Sequence, residues 1–147
     1  MPIDLRTLVH RWFEEVWNQG REETVDELLA ADAVAHGLGE GATSSRGPEE
    51  FKIFLRNMRT ALPDAHVEVL DTVVEGDKVA VRLLLTGTHL GDGLGVPPSG
   101  RAVSVPAITV ARLSNGQMVE GWNSWDQLGF LQQIGAIPSG RDRFMSV

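Results

Sequence analysis

Hydrophobic residues near the start of the chain recur every three or four positions, the spacing that places them on one face of a helix. This stripe runs from Leu5 to Trp17 and includes Trp12. It ends at residues 18–20, Asn-Gln-Gly, where glycine is the usual residue just past a helix. Residues 21–30 repeat the pattern more briefly and predict a second helix, so the two should form a helical hairpin.

A third helix is predicted from Gly47, where a proline and two acidic residues suit a first helical turn. Phe54 and Met58 belong to its apolar stripe, and Pro63 ends it. Between the second and third helices, residues 32–46 lose the periodicity and are rich in glycine, serine and alanine. We expect a loop there that covers or borders a pocket.

The hydrophobic period changes to two in the second half of the chain, which predicts β-strands. Four segments show this period, and a short apolar helix follows the last of them: residues 66–74, 78–90, 101–113 and 117–125. Pro106, inside the third segment, predicts a bulge or bend. The order of elements indicates an α+β fold in which three N-terminal helices pack on a curved antiparallel sheet, forming a cone with a central cavity. Length and composition indicate a single domain over residues 1–147.

Charge and composition argue against several classes of function. Acidic residues outnumber basic ones by 20 to 13, the net charge is −7, and the basic residues are scattered, so nucleic acid and membranes are poor partners. No apolar run reaches the roughly 18 residues of a membrane span, and we expect a soluble, cytoplasmic protein. The chain has no cysteine and no histidine spacing typical of metal ligands, so no metal site is expected.

Asp126 lies where the last predicted strand passes into the short helix, between tryptophans and an apolar segment. Apolar surroundings raise the pKa of a carboxyl group, which suits a general acid or base. An aspartate at such a junction can equally serve as a helix N-cap by accepting a backbone N–H bond. The residue pattern alone leaves both interpretations open.

Strand alternation should place Trp122 and Asp126 on the same side of the sheet, which we assign to the cavity. Trp122 would then offer a flat substrate an aromatic wall, with plain core packing as the alternative. The other residues expected to contact a substrate are Trp12, Trp17, Phe54, Met58 and His89, the last beside a Gly/Pro-rich loop. Asn123 and Trp125 should face outward. Together with other outward residues, Trp125 would expose an apolar patch, which predicts a homodimer through the outer sheet face.

Several segments resemble, in order and spacing, the SnoaL-like polyketide cyclase (ester cyclase) family. They are FEEVWNQG, DAVAHG, GPEEFKIFLRNMRTALPDAHVEV, GTHLGDGLGVPPSGRAV and VEGWNSWDQLGFLQQIGAIP, so the resemblance covers nearly the whole chain. The family belongs to the nuclear-transport-factor-2-like superfamily of α+β cone folds. The resemblance therefore implies the same fold that the hydrophobic pattern predicts.

For function, the resemblance implies cofactor-free intramolecular aldol ring closure of a small, apolar, carbonyl-bearing substrate. The family's proton-transferring aspartate matches Asp126, and the histidine of its DFVxH-like segment matches His36. His36 would polarise a carbonyl or pair with Asp126, with a structural histidine as the alternative. Polyketide cyclases also tend to carry a histidine on the neighbouring strand, where this sequence has Pro-Ala-Ile at residues 106–108.

Other functions of the superfamily stay open: isomerisation, dehydration, epoxide hydrolysis and non-catalytic binding of small molecules. An epoxide hydrolase would need an Asp-Arg-Asp network in the cavity, which depends on whether Arg82 or Arg112 faces inward. A non-catalytic binder is favoured if the Asp126 carboxylate is used wholly as a cap.

Overall fold

The computed structural model describes residues 4–39 and 44–138, and within them the chain forms four helices and six strands. The helices are α1 (Leu5–Arg11, continued by a π-helical segment, Trp12–Asn18), α2 (Glu22–Leu28), α3 (Gly47–Ala61) and α4 (Gln127–Gln133). The strands are β1 (Leu29–His36), β2 (Ser44–Arg46), β3 (His66–Glu75), β4 (Lys78–Thr88), β5 (Ala102–Ser114) and β6 (Gln117–Trp125). None of these helices is long and apolar enough to cross a membrane.

The six strands of the described residues form one sheet in the order β2-β1-β6-β5-β4-β3. β1 runs parallel to β6, and the other neighbouring pairs are antiparallel. β2 and β3 form the two edges, so the sheet is open rather than closed into a barrel. The helices pack against it around one hydrophobic core that includes Val16, Leu55 and Val105.

The α+β class, the three N-terminal helices and the two hairpins are confirmed. Gly20 ends the first helical segment at φ +71°, a left-handed conformation that glycine adopts without a steric penalty. Asn115 and Gly116, with φ of 52° and 76°, join β5 to β6. Positive φ at both central residues is what a tight type I′ hairpin turn requires.

The segment predicted as a loop over residues 32–46 differs most from expectation. Its first part belongs to β1, which begins at Leu29 directly after α2, and its end forms β2. Residues 40–43 of the predicted loop lie outside the described residues. The sheet expected to be antiparallel therefore also contains one parallel pair, because β1 lies beside β6, with Ala35 opposite Gly121.

Of the bulge or bend predicted at Pro106, the bulge is wrong and the bend stays a prediction. β4 and β5 pair without interruption from Lys78–Arg112 to Thr88–Ala102, and the register shift of β5 against β6 lies between Arg112 and Leu113. The proline is tolerated for another reason. The last residue of β6, Trp125, pairs with Ala107, so Pro106 lies just beyond the β5–β6 ladder. The N–H that proline lacks therefore removes no ladder bond to β6.

Candidate functional site

A cavity lies between the sheet and the helices, with an empty space of about 890 Å³ when its open mouth is included. Its wall is almost entirely apolar. Trp12, Phe13, Trp17, Phe51, Phe54 and Met58 line it from the helices, and Leu83, Leu85, Val105 and Ala107 are among the residues that line it from the strands. A concave apolar pocket with few polar groups is the usual form of a small-molecule site.

An aromatic cluster forms the helix side of this cavity. The ring centroids of Trp12 and Phe51 are 5.0 Å apart, and Trp17 meets Phe51 and Phe54 edge-on at 6.2 and 6.0 Å. Edge-on and tilted contacts at these distances add to the free energy gained by burial. Trp12, Trp17, Phe54 and Met58 thus line the cavity, and their contact with a substrate stays a prediction.

Polar groups meet at the sheet side of the cavity, where Thr109 on β5 faces Asn123 on β6. The Thr109 hydroxyl donates to Asn123 Oδ1 at 2.9 Å, and Asn123 Nδ2 donates to the backbone oxygen of His36, also at 2.9 Å. The second bond fixes the amide orientation, because a carbonyl oxygen accepts and never donates. One Nδ2 hydrogen and one Oδ1 lone pair then stay available to a ligand.

The predicted orientation of β6 is wrong. Gly121, Asn123 and Trp125 line the cavity, whereas Trp122 points to the outer face and is 39% exposed. Met118 is buried, so strict alternation from it would turn the even-numbered residues inward. The register shift before Glu120 adds one residue and reverses the alternation for the rest of the strand.

Trp125 lies in the interior rather than on the surface expected for it. Its Nε1–H donates to the backbone oxygen of Leu38 at 3.0 Å, and its ring packs edge-on against Phe130 at 5.6 Å. Gln127 donates in the same way to Gly39, at 3.0 Å. These two bonds tie the end of β6 to the segment after β1 and so fix one side of the cavity.

Asp126 is exposed and caps α4, accepting the Gly129 N–H at 2.9 Å. It does not line the cavity. A β-carbon on Gly129 would lie 2.1 Å from Asp126 Oδ2, so the carboxylate occupies the space that only a glycine leaves open. The capping interpretation thus describes its contacts, and the catalytic role stays a prediction.

His36 lies on the outer side of the sheet and does not meet Asp126. Its Nε2 is 2.8 Å from Glu120 Oε2, its Nδ1 is 2.9 Å from Ser44 Oγ, and its ring stacks on Trp122 with centroids 5.9 Å apart. Its backbone oxygen, by contrast, accepts the Asn123 bond at the cavity wall. A role for the imidazole inside the cavity stays a prediction that these contacts do not support.

Glu120 is the one acidic or basic residue among the described residues that line the cavity. Its carboxylate pairs with His36 and, at 3.3 Å, with Arg112 Nη2. The hydrogen bond from His36 is the main cause that holds the pKa of the Glu120 carboxyl below its usual value, and Arg112 acts in the same direction. Glu120 is therefore ionised and already paired at neutral pH.

Two further groups lie away from the cavity. His89 is fully buried at the base of the 89–101 loop, where its Nδ1 accepts the Ser99 N–H at 3.1 Å. Contrary to the prediction, it does not line the cavity. Arg82 and Arg112 do not line the cavity either, so neither of them provides there the arginine that an epoxide hydrolase network needs. Among the described residues no cluster of histidine and acidic side chains has the arrangement of a metal site.

Sequence reasoning missed Thr109, Gly121 and Asn123. The alternation of β5 carried a signal for Thr109, which has the strand parity of the buried Val105 and Ala111. Asn123, by contrast, is placed only by its register with Thr109. The bulge that turns Gly121 and Asn123 inward has no marker in the sequence, since its residues are ordinary strand formers.

A family model for the SnoaL-like polyketide cyclase matches residues 7–134. Aklanonic acid methyl ester cyclase DnrD of Streptomyces peucetius is 30% identical over 122 residues, covering 82% of this chain and 84% of that protein. A solved SnoaL-like structure from Jannaschia Sp. CCS1 has a TM-score of 0.80 and 30% identity, covering 94% of this chain and 99% of the other. TsrD from Streptomyces laurentii has a TM-score of 0.79 and 28% identity, covering 92% of this chain and 100% of the other. The chain belongs to the SnoaL-like polyketide cyclase family.

Proposed function

We propose that this protein promotes ring closure of an apolar, carbonyl-bearing, polyketide-type molecule bound in the cavity. The observation that carries the proposal is the Thr109–Asn123 pair, a neutral polar site in a wall that is apolar apart from Glu120. The curated relatives support it, since DnrD is named as a cyclase of aklanonic acid methyl ester. The aromatic cluster on the helix side suits a flat, fused-ring substrate.

Ring closure of the aldol type needs stabilisation of negative charge on oxygen. A carbon beside a carbonyl loses a proton and attacks a second carbonyl, whose oxygen becomes an alkoxide and takes up a proton. The Asn123 N–H that is not used by His36 donates to that oxygen and stabilises the charge as it develops. Because the apolar wall excludes most water, this hydrogen bond is stronger than it would be in solution.

We propose that water at the open mouth, rather than a side chain of the cavity, accepts the proton from the substrate carbon. A carbon between two carbonyl groups is acidic, so water is a sufficient proton acceptor. Neither an amide nor a hydroxyl of this kind titrates near neutral pH, so Thr109 and Asn123 bind and polarise the substrate instead. The rate then depends on how the substrate is held, an effect of proximity and orientation.

The test is conversion of aklanonic acid methyl ester, followed by chromatography because ring closure leaves the mass unchanged. The intact protein should convert it faster than buffer does. Asn123→Leu should lower the rate by about 10²-fold or more, as loss of one oxyanion donor does. Ser124→Ala, one residue along on the outer face, is the matched control and should keep the rate. Equal rates for the intact protein and the Asn123→Leu variant would contradict the proposal.

A second candidate function is non-catalytic binding of the same class of molecule. It is favoured by one observation: the carboxylate expected to move the proton, Asp126, is an exposed helix cap. Such a protein would bind the ester with the same dependence on Asn123 and release it unchanged. Binding measured beside turnover in the same samples separates the two functions.

The proposed partner, besides a ligand, is a second copy of this chain. The outer face of the sheet carries Val73 on β3, 59% exposed, and Ile108 on β5, 51% exposed, together with the half-buried Val110 on β5. We call these three residues the outer patch. Exposed aliphatic side chains on one sheet face are typical of an association surface, and a two-fold dimer would bury each patch against its copy.

A further inference from the structure

Three side chains from three strands form a hydrogen-bonded chain on the outer side of the sheet. Ser44 on β2 is the cross-strand partner of His36 on β1, and Ser44 Oγ lies 2.9 Å from His36 Nδ1. Glu120 on the adjacent β6 lies on the far side of the ring, with Oε2 2.8 Å from His36 Nε2. Serine, imidazole and carboxylate thus follow one another at hydrogen-bonding distance.

The partners determine which imidazole nitrogen is basic. An ionised carboxylate only accepts hydrogen bonds, so His36 Nε2 carries the hydrogen that points to Glu120. Nδ1 is then the unprotonated nitrogen, and it accepts the hydrogen bond of the Ser44 hydroxyl. Arg112 bonds the other oxygen of Glu120 at 3.3 Å and keeps the carboxylate in place.

We propose that Ser44, His36 and Glu120 form a nucleophilic acyl-transfer site on the outer side of the sheet that hydrolyses small aryl esters, with the nucleophile and its base outside the cavity. Ser44 Oγ attacks the ester carbonyl while His36 Nδ1 takes the hydroxyl proton. The proton then passes to the departing phenolate, which leaves as the phenol, and an acyl-serine ester is formed. Water, deprotonated by His36, attacks that ester and releases the carboxylic acid, restoring the Ser44 hydroxyl. Each step conserves atoms and needs no oxidant or reductant.

The site is open to solvent. The side chains of His36 and Glu120 are 35% and 28% exposed, and Ser44 is exposed. Neither Ser44 nor His36 lines the cavity. A small ester therefore reaches the hydroxyl without entering the proposed cyclase site.

A donor for the developing oxyanion is provided by the edge of the sheet. β2 is an edge strand, and the Arg46 N–H points away from β1 to bond Glu50 Oε1 at 3.0 Å. N–H groups two residues apart on a strand point the same way, so the Ser44 N–H also points to this edge. A carbonyl attacked by Ser44 Oγ can place its oxygen against that N–H, as nucleophilic serines commonly use their own backbone amide.

Trp122 gives the site a preference for aromatic groups. It stacks on His36 with an interplanar angle of 24°, and 39% of it is exposed. The stack holds the imidazole plane, and the exposed part of the indole is a surface for an aryl leaving group. Esters of aliphatic alcohols would lack this contact, and their alcohol is also a slower leaving group than a phenol.

The experiment is hydrolysis of p-nitrophenyl acetate, combined with a fluorophosphonate probe whose position is located by peptide mass spectrometry. Ser44→Ala should abolish labelling and lower kcat/KM by about 10²–10⁴-fold. Ser45→Ala is the matched control on the next residue and should keep both. His36→Gln should lose the activity, whereas His66→Gln, which removes an exposed histidine on β3, should keep it.

Glu120 is a positioning residue in this scheme, because it acts through His36. Glu120→Gln should therefore lower kcat while KM and the melting temperature change little. Label found on another residue, or undiminished hydrolysis by a folded Ser44→Ala variant, would overturn the proposal. Equal activity of His36→Gln and His66→Gln would overturn it as well. None of these results depends on the cyclase activity of the cavity.

Discussion

Asn123 and Thr109 form a hydrogen bond of 2.9 Å across two neighbouring strands, and both side chains face the apolar cavity. Asn123 is held from its other end by the backbone oxygen of His36, so its amide cannot rotate without breaking two bonds. A polar group fixed in this way is organised before a ligand arrives. That is the condition under which a hydrogen bond to a substrate contributes most to binding and rate.

Removing the Thr109 hydroxyl should loosen this amide. Thr109→Val keeps the shape of the side chain and leaves Asn123 Oδ1 without its donor, so we expect a loss of about 1 kcal/mol in the free energy of unfolding. Binding of 1-tetralone, a bicyclic ketone, should weaken several-fold. Urea denaturation and calorimetry measure the two effects. Unchanged binding would show that the pair does not contact the ligand.

Filling the cavity should abolish binding without unfolding the protein. A β-carbon on Gly121 would have Val110 O and Asn123 Nδ2 as its nearest neighbours, at 3.9 and 4.0 Å, so Gly121→Val projects into open space. Valine also favours a strand over glycine, and stability should be equal or higher. Ser124→Val, which faces outward on the same strand, should bind 1-tetralone normally. Binding by both variants would place the ligand elsewhere.

Asp126 should behave as a helix cap. Asp126→Ala removes the acceptor of the Gly129 N–H and should cost about 0.5–2 kcal/mol of stability, whereas Asp126→Asn keeps an acceptor and should cost less. Ring-closing activity should survive in both variants under the account given above. Thermal denaturation and the conversion assay test this directly. Loss of activity in a stable Asp126→Asn variant would show that this carboxylate transfers the proton.

Asp64 should contribute to the dependence of stability on pH. Its carboxylate accepts the Thr88 N–H at 2.7 Å and the Thr88 hydroxyl at 2.8 Å, and these bonds lower the pKa of Asp64 in the folded state. The stabilisation is therefore complete above the unfolded pKa of roughly 3.9 and is lost as the pH falls through the lower folded value. The difference in unfolding free energy between the intact protein and Asp64→Asn should be largest at neutral pH and shrink in acid. Asp71→Asn, at another exposed acid, is the control; a difference independent of pH would contradict the prediction.

The outer patch should determine the oligomeric state. Ile108→Glu places a charge at the centre of the proposed contact and should convert a dimer to a monomer, as measured by light scattering at micromolar concentration. Glu68→Gln, on an exposed position of β3, should leave the dimer intact. An intact protein that is already monomeric at this concentration would rule out the interface.

The helices and hairpins were predictable because their signals are local. The apolar residues around Trp12 and Trp17 keep a helical spacing, and Gly20 marks the end of that helix. Asn115–Gly116 favours a tight turn between two strands. β1 was missed because its segment has a weak alternation and gains its stability from pairing with β6, far along the chain. Propensity within a short segment carries no information about such a partner.

Predicting which residues of β6 face the cavity depended on one local irregularity that the sequence does not mark. The bulge before Glu120 exchanges the inner and outer faces of β6, so that Asn123 and Trp125 replace Trp122 at the cavity. A one-residue shift in a strand moves every later side chain to the opposite face. Strand parity assigned the last strand to the cavity, while the residues of that strand that face inward required the register with Thr109.

The most direct test of the central claim is the side-chain amide signal of Asn123 in a nitrogen-15 NMR spectrum, assigned by its absence from Asn123→Leu. The protein is titrated with 1-tetralone and, separately, with tetralin, which has nearly the same shape but no carbonyl. The account predicts a large, saturating downfield proton shift of this signal with 1-tetralone and a much smaller change with tetralin. Equal changes with the two compounds, or none with either, would contradict a hydrogen bond from Asn123 to a ligand carbonyl.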